Sequence, residues 1–168
     1  EQPFIELIMD LSDQRANLIE EGLDLSIRIT ADLQPGDIVR KLGQCRLLTL
    51  ASPGYIAQHG QPRQPLDLRH HECLIYARDT ATSTWAYRDG SQTVQVPVRG
   101  RIVANNGAAL MEGASRGMGM ACQPDFIAAP YLDSGRVQAV LQDFEMPPLG
   151  IYAVLPSNRY IPHRLSVL

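Results

Sequence analysis

The fold is decided by the stretch Asn105-Asn106-Gly107-Ala108-Ala109-Leu110-Met111-Glu112-Gly113-Ala114-Ser115-Arg116-Gly117-Met118-Gly119-Met120-Ala121-Cys122-Gln123-Pro124. Its pattern predicts a strand end, a polar turn, a helix, a glycine stop and a buried strand, which together make one βαβ step. Asn106 is a good N-cap because its side-chain oxygen can accept a hydrogen bond from an amide of the first helical turn. Gly117 and Gly119 end the helix, since glycine adopts positive φ angles without steric cost.

The predicted helix carries a narrow apolar stripe, because Leu110, Ala114 and the glycines between and after them recur three or four residues apart. The apolar run 118–122 that follows is typical of a strand covered on both faces of a sheet. By itself, the stretch fits either a packing unit of an α/β domain or one side of a ligand site.

Composition limits the classes of function. The chain has 168 residues, 45% of them hydrophobic, and a net charge of -3. Because binding to a nucleic-acid backbone requires a basic surface, this charge argues against DNA binding by the chain itself. Cys45, Cys73 and Cys122 each lie in an apolar run, which predicts reduced, buried thiols in a cytoplasmic protein. No apolar run is long enough for a membrane span, and no export signal is recognisable.

The remaining elements extend the α/β pattern. Residues 4–11 show the partial alternation of a strand, 14–21 are predicted as a helix that stops at Gly22, and 24–29 as a second strand, so a second βαβ unit and a parallel sheet are expected. Asp89-Gly90 predicts a β-hairpin between 84 and 98. The other predicted elements are strands at 38–42, 46–51, 73–77, 100–104, 137–141 and 150–155, a helix that begins with Ser52-Pro53, a one-turn helix at 66–69, and a helix from Pro124 to Gly135. Both ends look cut, in mid-strand and at the start of a helix.

No constellation of residues indicates catalysis or metal binding. His70, His71, Glu72 and Cys73 are potential metal ligands, but neighbouring residues of a strand point to opposite faces, and no second ligand cluster has a zinc-like spacing. A nucleophile elbow, a phosphate loop and a helical His-Glu-x-x-His motif are all missing from the sequence. We therefore expect neither an enzyme nor a metal or other cofactor.

Polar side chains recur where a predicted strand leads into a helix. Ser12, Ser52, Asn105 and Asn106 hold such positions, and Arg28 lies near the end of its own strand. In open parallel sheets, the carboxyl ends of the strands line the ligand crevice. Each side chain could equally be a helix cap or a surface ion pair. Together they predict a site for a small polar or anionic ligand, with these contacts: Ser12, Arg28, Ser52, Asn105, Asn106 and Gln123.

The chain closely resembles the effector-binding domain of LysR-type transcriptional regulators, and in particular the CrgA-like subgroup. The resemblance covers essentially the whole chain, and the order and spacing of its motifs are specific. These motifs are Asn17-Leu18-Ile19-Glu20-Glu21-Gly22-Leu23-Asp24-Leu25-Ser26-Ile27-Arg28, Ala51-Ser52-Pro53-Gly54-Tyr55-Ile56, Pro65-Leu66-Asp67-Leu68-Arg69-His70-His71-Glu72-Cys73-Leu74, Ala104-Asn105-Asn106-Gly107, Gly117-Met118-Gly119-Met120-Ala121-Cys122-Gln123-Pro124 and Ser134-Gly135-Arg136-Val137.

The resemblance implies a type 2 periplasmic-binding-protein-like fold, in which two α/β lobes are joined by two crossover strands and the effector binds between them. The first lobe would comprise residues 1–48 and 150–168, and the second lobe residues 49–149. The family's winged helix-turn-helix is absent from this sequence. So are the first strand of the effector domain, with the serine or threonine that usually follows it, and part of the final helix. The chain is thus expected to be part of a longer regulator that binds DNA only through its missing N-terminal domain.

The resemblance also implies self-association, as a homodimer or tetramer. Two elements of the first lobe and one helix of the second would form the dimer interface, through Ile5, Leu7, Met9, Gln14, Asn17, Leu18, Glu21, Leu110, Met111 and Ala114. The main alternative is a stand-alone solute-binding protein of a transport system, which shares the fold but would carry an export signal. An enzyme on the same fold is a second alternative. The identity of the effector is not encoded in any motif.

Overall fold

The structure is a computed structural model that describes residues 6–12, 17–33, 38–77 and 82–156. The chain divides into two compact units, Glu1–Gln44 with Gly150–Leu168 and Cys45–Leu149. It passes from the first unit to the second near the end of one strand and returns at the start of another. The predicted lobe boundaries, at about residue 48 and about residue 150, stay predictions.

Ten strands, three α-helices and one 3-10 helix are described. The strands are β1 (Ser26–Thr30), β2 (Ile38–Cys45), β3 (Leu47–Ala51), β4 (Cys73–Tyr76), β5 (Thr82–Asp89), β6 (Gln92–Arg99), β7 (Ile102–Ala104), β8 (Met120–Pro124), β9 (Gln138–Val140) and β10 (Leu149–Leu155). The helices are α1 (Pro53–His59), the 3-10 helix Pro65–His70, α2 (Gly107–Ser115) and α3 (Asp125–Asp133).

In the first unit, the described strands form one sheet in the order β1, β10, β2. Strand β1 runs antiparallel to β10, with Arg28 opposite Tyr152. The parallel pairing predicted for this strand is therefore wrong within the described sheet, because β1 is antiparallel to its neighbour β10. That prediction relied on a crossover helix at residues 14–21. In the described part of this segment, residues 18–22 form a hydrogen-bonded turn instead. The amide of Glu21 donates to the carbonyl of Asn17 at 2.9 Å.

The predicted first strand is also wrong for the residues that the structure describes. Residues 6–12 have no regular secondary structure, and Leu7, Ile8 and Leu11 are exposed. A strand is stable only when its amides and carbonyls pair with a neighbour, and no described strand pairs with this segment. Ile5 and Gln14 lie outside the described residues, as does the expected start of a helix after residue 162.

The second unit is built on a five-stranded sheet in the order β7, β4, β8, β3, β9. Strands β7, β4 and β8 are parallel, as the βαβ pattern predicts, whereas β3 runs antiparallel to both β8 and β9. Alternate residues of the strands enter two separate cores. In β4, for example, Cys73 and Ile75 face the core that includes the hairpin β5–β6, and Leu74 faces the core beneath α2 and α3.

Helix α2 packs on the sheet through the apolar stripe seen in the sequence. Leu110, Met111 and Ala114 are fully buried in the core that they share with Leu74 and Ala121. These three side chains are therefore unavailable to a second copy of the chain, and the prediction that they form a dimer interface is wrong. The same holds for Leu18, which is buried in the first unit. The other described residues of the predicted interface are exposed: Leu7, Met9, Asn17 and Glu21.

Candidate functional site

The carboxyl ends of the three parallel strands meet at one edge of the sheet in the second unit. Tyr76 ends β4 and lies opposite Ala104, which ends β7. Strand β8 is parallel to β4 and ends at Pro124. Helices α2 and α3 begin at this edge, directly after β7 and β8. Backbone amides of helix starts and polar side chains are thus gathered at one place, as the sequence predicts.

Helix α2 presents unused amides at this edge. The side-chain oxygen of Asn106 accepts a hydrogen bond from the amide of Ala109 at 2.9 Å, which confirms Asn106 as the N-cap. The amides of Gly107 and Ala108 have no acceptor among the described residues. The first turn also contains no acidic residue. Since the start of a helix carries partial positive charge, this end of α2 can attract an anion.

Gln123 lies beside the start of α2 and is buried, with only 2% of its surface exposed. A Cβ atom at Gly107 would lie 2.6 Å from the side-chain Oε1 of Gln123, so glycine at this position gives the amide room to approach the helix. None of the hydrogen bonds among the described residues involves this side chain. This amide is therefore available to a ligand at the start of α2.

The residues around Gln123 form a row across the sheet. Leu48 of β3 is its direct neighbour. On the other side, Leu74 of β4 is the neighbour of Ala121 in β8. Tyr76 and Gln123 come two residues later in these parallel strands, so they are neighbours as well. Ala104 completes the row as the neighbour of Tyr76. Because side chains two residues apart in a strand share a face, all four lie on the face that packs against α2.

Tyr76, Leu48 and Gly107 also lie at this candidate site and were not predicted from the sequence. A feature of the sequence could have indicated Tyr76, because an aromatic residue with a hydroxyl ends the otherwise apolar run of β4. In the structure, 49% of this residue is exposed. No sequence feature indicates Leu48 or Gly107, because their role depends on which strand and which side chain lie next to them.

Ser52 lies at the opposite edge of the sheet. Strand β3 is antiparallel to β8, so its carboxyl end at Ala51 lies away from Pro124, which is opposite Leu47. A Cβ atom at Gly117, just after the end of α2, would lie 3.4 Å from the hydroxyl of Ser52, whereas Asn106 caps the start of that helix. The prediction that Ser52 shares one site with Asn105 and Asn106 is therefore wrong.

Ser52 has a structural role instead. Its buried hydroxyl accepts a hydrogen bond from the amide of Tyr55 at 3.1 Å, as an N-cap does, and Pro53 follows as the first helical residue. The two first-unit residues of the predicted site lie elsewhere in the chain. Ser12 is exposed in an irregular segment, and Arg28 is half-buried in β1. Both stay predictions.

A second polar cluster surrounds Tyr55 at the Ser52 edge. The hydroxyl of Tyr55 accepts a hydrogen bond from the amide of Glu72 at 3.0 Å and lies 3.4 Å from Nδ1 of His71. Burial, together with the nearby His59, lowers the pKa of His71, so the imidazole is neutral at pH 7. The carboxylate of Glu72 accepts a hydrogen bond from the amide of Arg101 at 2.6 Å. These contacts hold α1 against the start of β4.

The side chains that suggested metal ligands do not converge. No group of three His, Cys, Asp or Glu side chains in the described part of the chain could hold a metal ion. Burial raises the pKa of both the Cys73 and the Cys122 thiol to about 12, so both are protonated near neutral pH. That no metal binds stays a prediction. Within the described ranges, no helix has the length and apolar character that a membrane span requires.

Comparison with known proteins identifies relatives along the whole chain. The family model described as "LysR substrate binding domain" matches residues 1–168. The chain is 32% identical over 163 residues to the HTH-type transcriptional regulator PtxR of Pseudomonas aeruginosa, covering 97% of the chain and 52% of PtxR. It is 29% identical over 164 residues to an HTH-type transcriptional regulator of Haemophilus influenzae, covering 98% of the chain and 57% of that relative. The chain thus spans about half the length of these relatives.

Solved structures give the same result. The full-length virulence activator AphB of Vibrio cholerae, a member of the LTTR family, superposes with a TM-score of 0.80 at 26% identity, covering 98% of the chain and 56% of AphB. The regulatory domain of CrgA from Neisseria meningitidis, a LysR-type regulator, superposes with a TM-score of 0.76 at 28% identity, covering 90% of the chain and 74% of that domain. These similarities confirm the predicted type 2 periplasmic-binding-protein-like α/β fold.

Proposed function

Because the chain belongs to the LysR substrate-binding domain family, we propose that it is the effector-sensing part of a DNA-binding transcriptional regulator. Its relatives are named as HTH-type regulators, which favours this role over the alternative of a transport solute-binding protein. The domain senses its effector without catalysing a reaction and without a cofactor. The full-length protein would act in the cytoplasm as a homodimer or tetramer and would bind DNA through a segment outside these 168 residues.

The effector is a small polar or anionic molecule, and the second unit supplies one part of its site. The observation that carries this proposal is the side-chain amide of the buried residue Gln123 beside the backbone amides of Gly107 and Ala108, none of which forms a hydrogen bond within the described residues. Asn105 and Asn106, which immediately precede α2, add polar side chains. Ser12 and Arg28 remain proposed contacts from the first unit, and Ser52 is removed from the set.

A carboxylate is the chemical group that fits this arrangement best. The backbone amides and the side-chain NH2 groups named above can donate hydrogen bonds, and a charged acceptor strengthens such bonds to roughly 1.5–3 kcal/mol each. The partial positive charge at the start of α2 acts in the same direction. A neutral ligand would satisfy the donors but would gain nothing from the helix dipole.

Gln123→Leu tests the site because it separates binding from folding. Leucine has a similar size but no polar atoms, and no hydrogen bond within the described residues is lost, so the melting temperature should change little. Carboxylate affinity should fall about tenfold, since each 1.4 kcal/mol is a factor of ten. Affinities are measured by calorimetric titration with acetate, succinate and benzoate, and stability by thermal unfolding.

Gln138→Leu is the matched control, because Gln138 is exposed on β9 and pairs with Ala51 at the opposite edge of the sheet. It should change the affinity for none of the three carboxylates. Equal affinity of wild type and Gln123→Leu for every carboxylate that binds would refute the site. Sequence-specific DNA binding by the 168-residue chain in a gel shift would refute the proposed location of the DNA-binding segment.

A further inference from the structure

We infer that the effector carries a flat apolar body, such as an aromatic ring, next to its carboxylate. This inference rests on the proposed site at the start of α2. It comes from the side chains on either side of Gln123, which differ from the hydrogen-bonding groups of the proposed site. They divide the site into a polar half and an apolar half.

The apolar half is formed by neighbours of Gln123 in the row across the sheet. Tyr76 and Leu48 belong to the two strands that flank β8, and adjacent strands are about 4.8 Å apart. Tyr76 exposes 49% of its surface although the three residues before it in β4 are buried. Ile127 of α3 lies on the helix side, with its Cδ1 3.1 Å from the position that a Cβ of Gly107 would occupy.

These side chains decide what kind of body can accompany the carboxylate. Leu48 and Ile127 offer no hydrogen-bonding group, so hydroxyl groups of a sugar acid or hydroxy acid directed at them would lose their bonds to water. A ring bonded directly to the carboxyl carbon extends only a few ångströms from it. It would therefore contact Tyr76 while the carboxylate remains at Gln123 and α2. Aromatic rings prefer offset-stacked or edge-to-face contacts of this kind.

Three probes that differ in one property each test the inference. Benzoate has both the ring and the charge, acetate has only the charge, and benzamide has the ring without the charge. Calorimetric titration of the 168-residue chain should give benzoate at least about tenfold higher affinity than acetate, because the ring adds buried apolar area. Benzamide should bind more weakly than benzoate, because it lacks the charge that the start of α2 favours.

Two variants of Tyr76 locate the apolar half. Tyr76→Ser should weaken benzoate about two- to tenfold, the range expected for losing one aromatic contact, and should leave acetate unchanged. Tyr76→Phe keeps the ring and should keep the preference for benzoate. Both variants lose the phenolic hydroxyl of Tyr76, so Tyr76→Phe also controls for that loss.

The outcomes distinguish this inference from the proposed function. Carboxylate binding that weakens in Gln123→Leu but shows no preference for benzoate, or a preference that survives Tyr76→Ser, would overturn the inference and leave the site intact. Carboxylate binding that does not respond to Gln123→Leu would overturn the proposed site, and the inference with it. Failure of all three probes to bind at millimolar concentration would overturn both.

Discussion

Replacing Asn106 by aspartate should leave the fold intact while weakening an anionic effector. Asn106 caps α2 by accepting a hydrogen bond from the amide of Ala109. A carboxylate oxygen of aspartate can accept the same bond, and aspartate is as good an N-cap as asparagine. Its negative charge also interacts favourably with the start of the helix, by about 0.3–1 kcal/mol. The melting temperature should therefore stay the same or rise slightly.

The effect on binding has the opposite sign. A carboxylate held by the amides of Gly107 and Ala108 would lie within roughly 6 Å of the new charge. At an effective dielectric constant of about 20–40, the repulsion between two unit charges at this distance is roughly 1.5–3 kcal/mol. Affinity should fall by about ten- to a hundredfold, and less at high salt, where the repulsion is screened.

Calorimetric titration and thermal unfolding on the same samples measure both effects. Gln138→Glu is the matched control, because it adds the same charge on an exposed residue at the opposite edge of the sheet. If Asn106→Asp binds carboxylates as tightly as the wild-type chain, the start of α2 does not bind the anion. If Gln138→Glu weakens binding equally, the effect reports net charge and not the site.

Ser52→Ala should lower the free energy of unfolding by about 1 kcal/mol through loss of the α1 cap, and leave effector affinity unchanged; weakened binding in the folded fraction would return Ser52 to the site. Burial lowers the pKa of His71 below its ordinary value of 6.5, so the unfolded chain binds a proton at this imidazole more readily than the folded chain does. The free energy of unfolding should therefore fall as the pH drops below 6.5. Unfolding curves of His71→Gln should lose part of this pH dependence, and an identical profile would contradict the assignment. Cys73 and Cys122, whose thiols have pKa values of about 12, should resist iodoacetamide at pH 8 until the chain unfolds. Rapid labelling of either thiol in the folded chain, read by mass spectrometry, would contradict the raised pKa values.

Local elements could be predicted because their causes lie within a few residues. The N-caps Ser52 and Asn106 form the hydrogen bonds expected of their residue types. Gly117 and Gly135 end their helices with φ angles of 77° and 66°, which glycine adopts without strain. The hairpin turns at Gly90 with a φ of 59°. None of these features needs a distant partner.

Errors arose wherever a partner far along the chain decides the outcome. Strand β3 is the first strand of the second unit and runs antiparallel to β8, and no residue inside β3 encodes this direction. That direction alone moves Ser52 to the opposite edge of the sheet from Asn106. Segment 6–12 alternates like a strand, yet a strand needs a neighbour to bond with, and sequence alternation does not supply one.

The candidate site divides in the same way. The sequence by itself determined the cap at Asn106, the glycine that follows it and the polar ends of two strands, because capping and φ preferences are properties of single residues. Only the tertiary structure decided that Gln123 is buried beside Gly107 and that Tyr76 and Leu48 flank it. These contacts join strands up to 75 residues apart in the chain, since Leu48 pairs with Gln123. Their positions depend on strand order and register, which are set by the packing of the whole sheet.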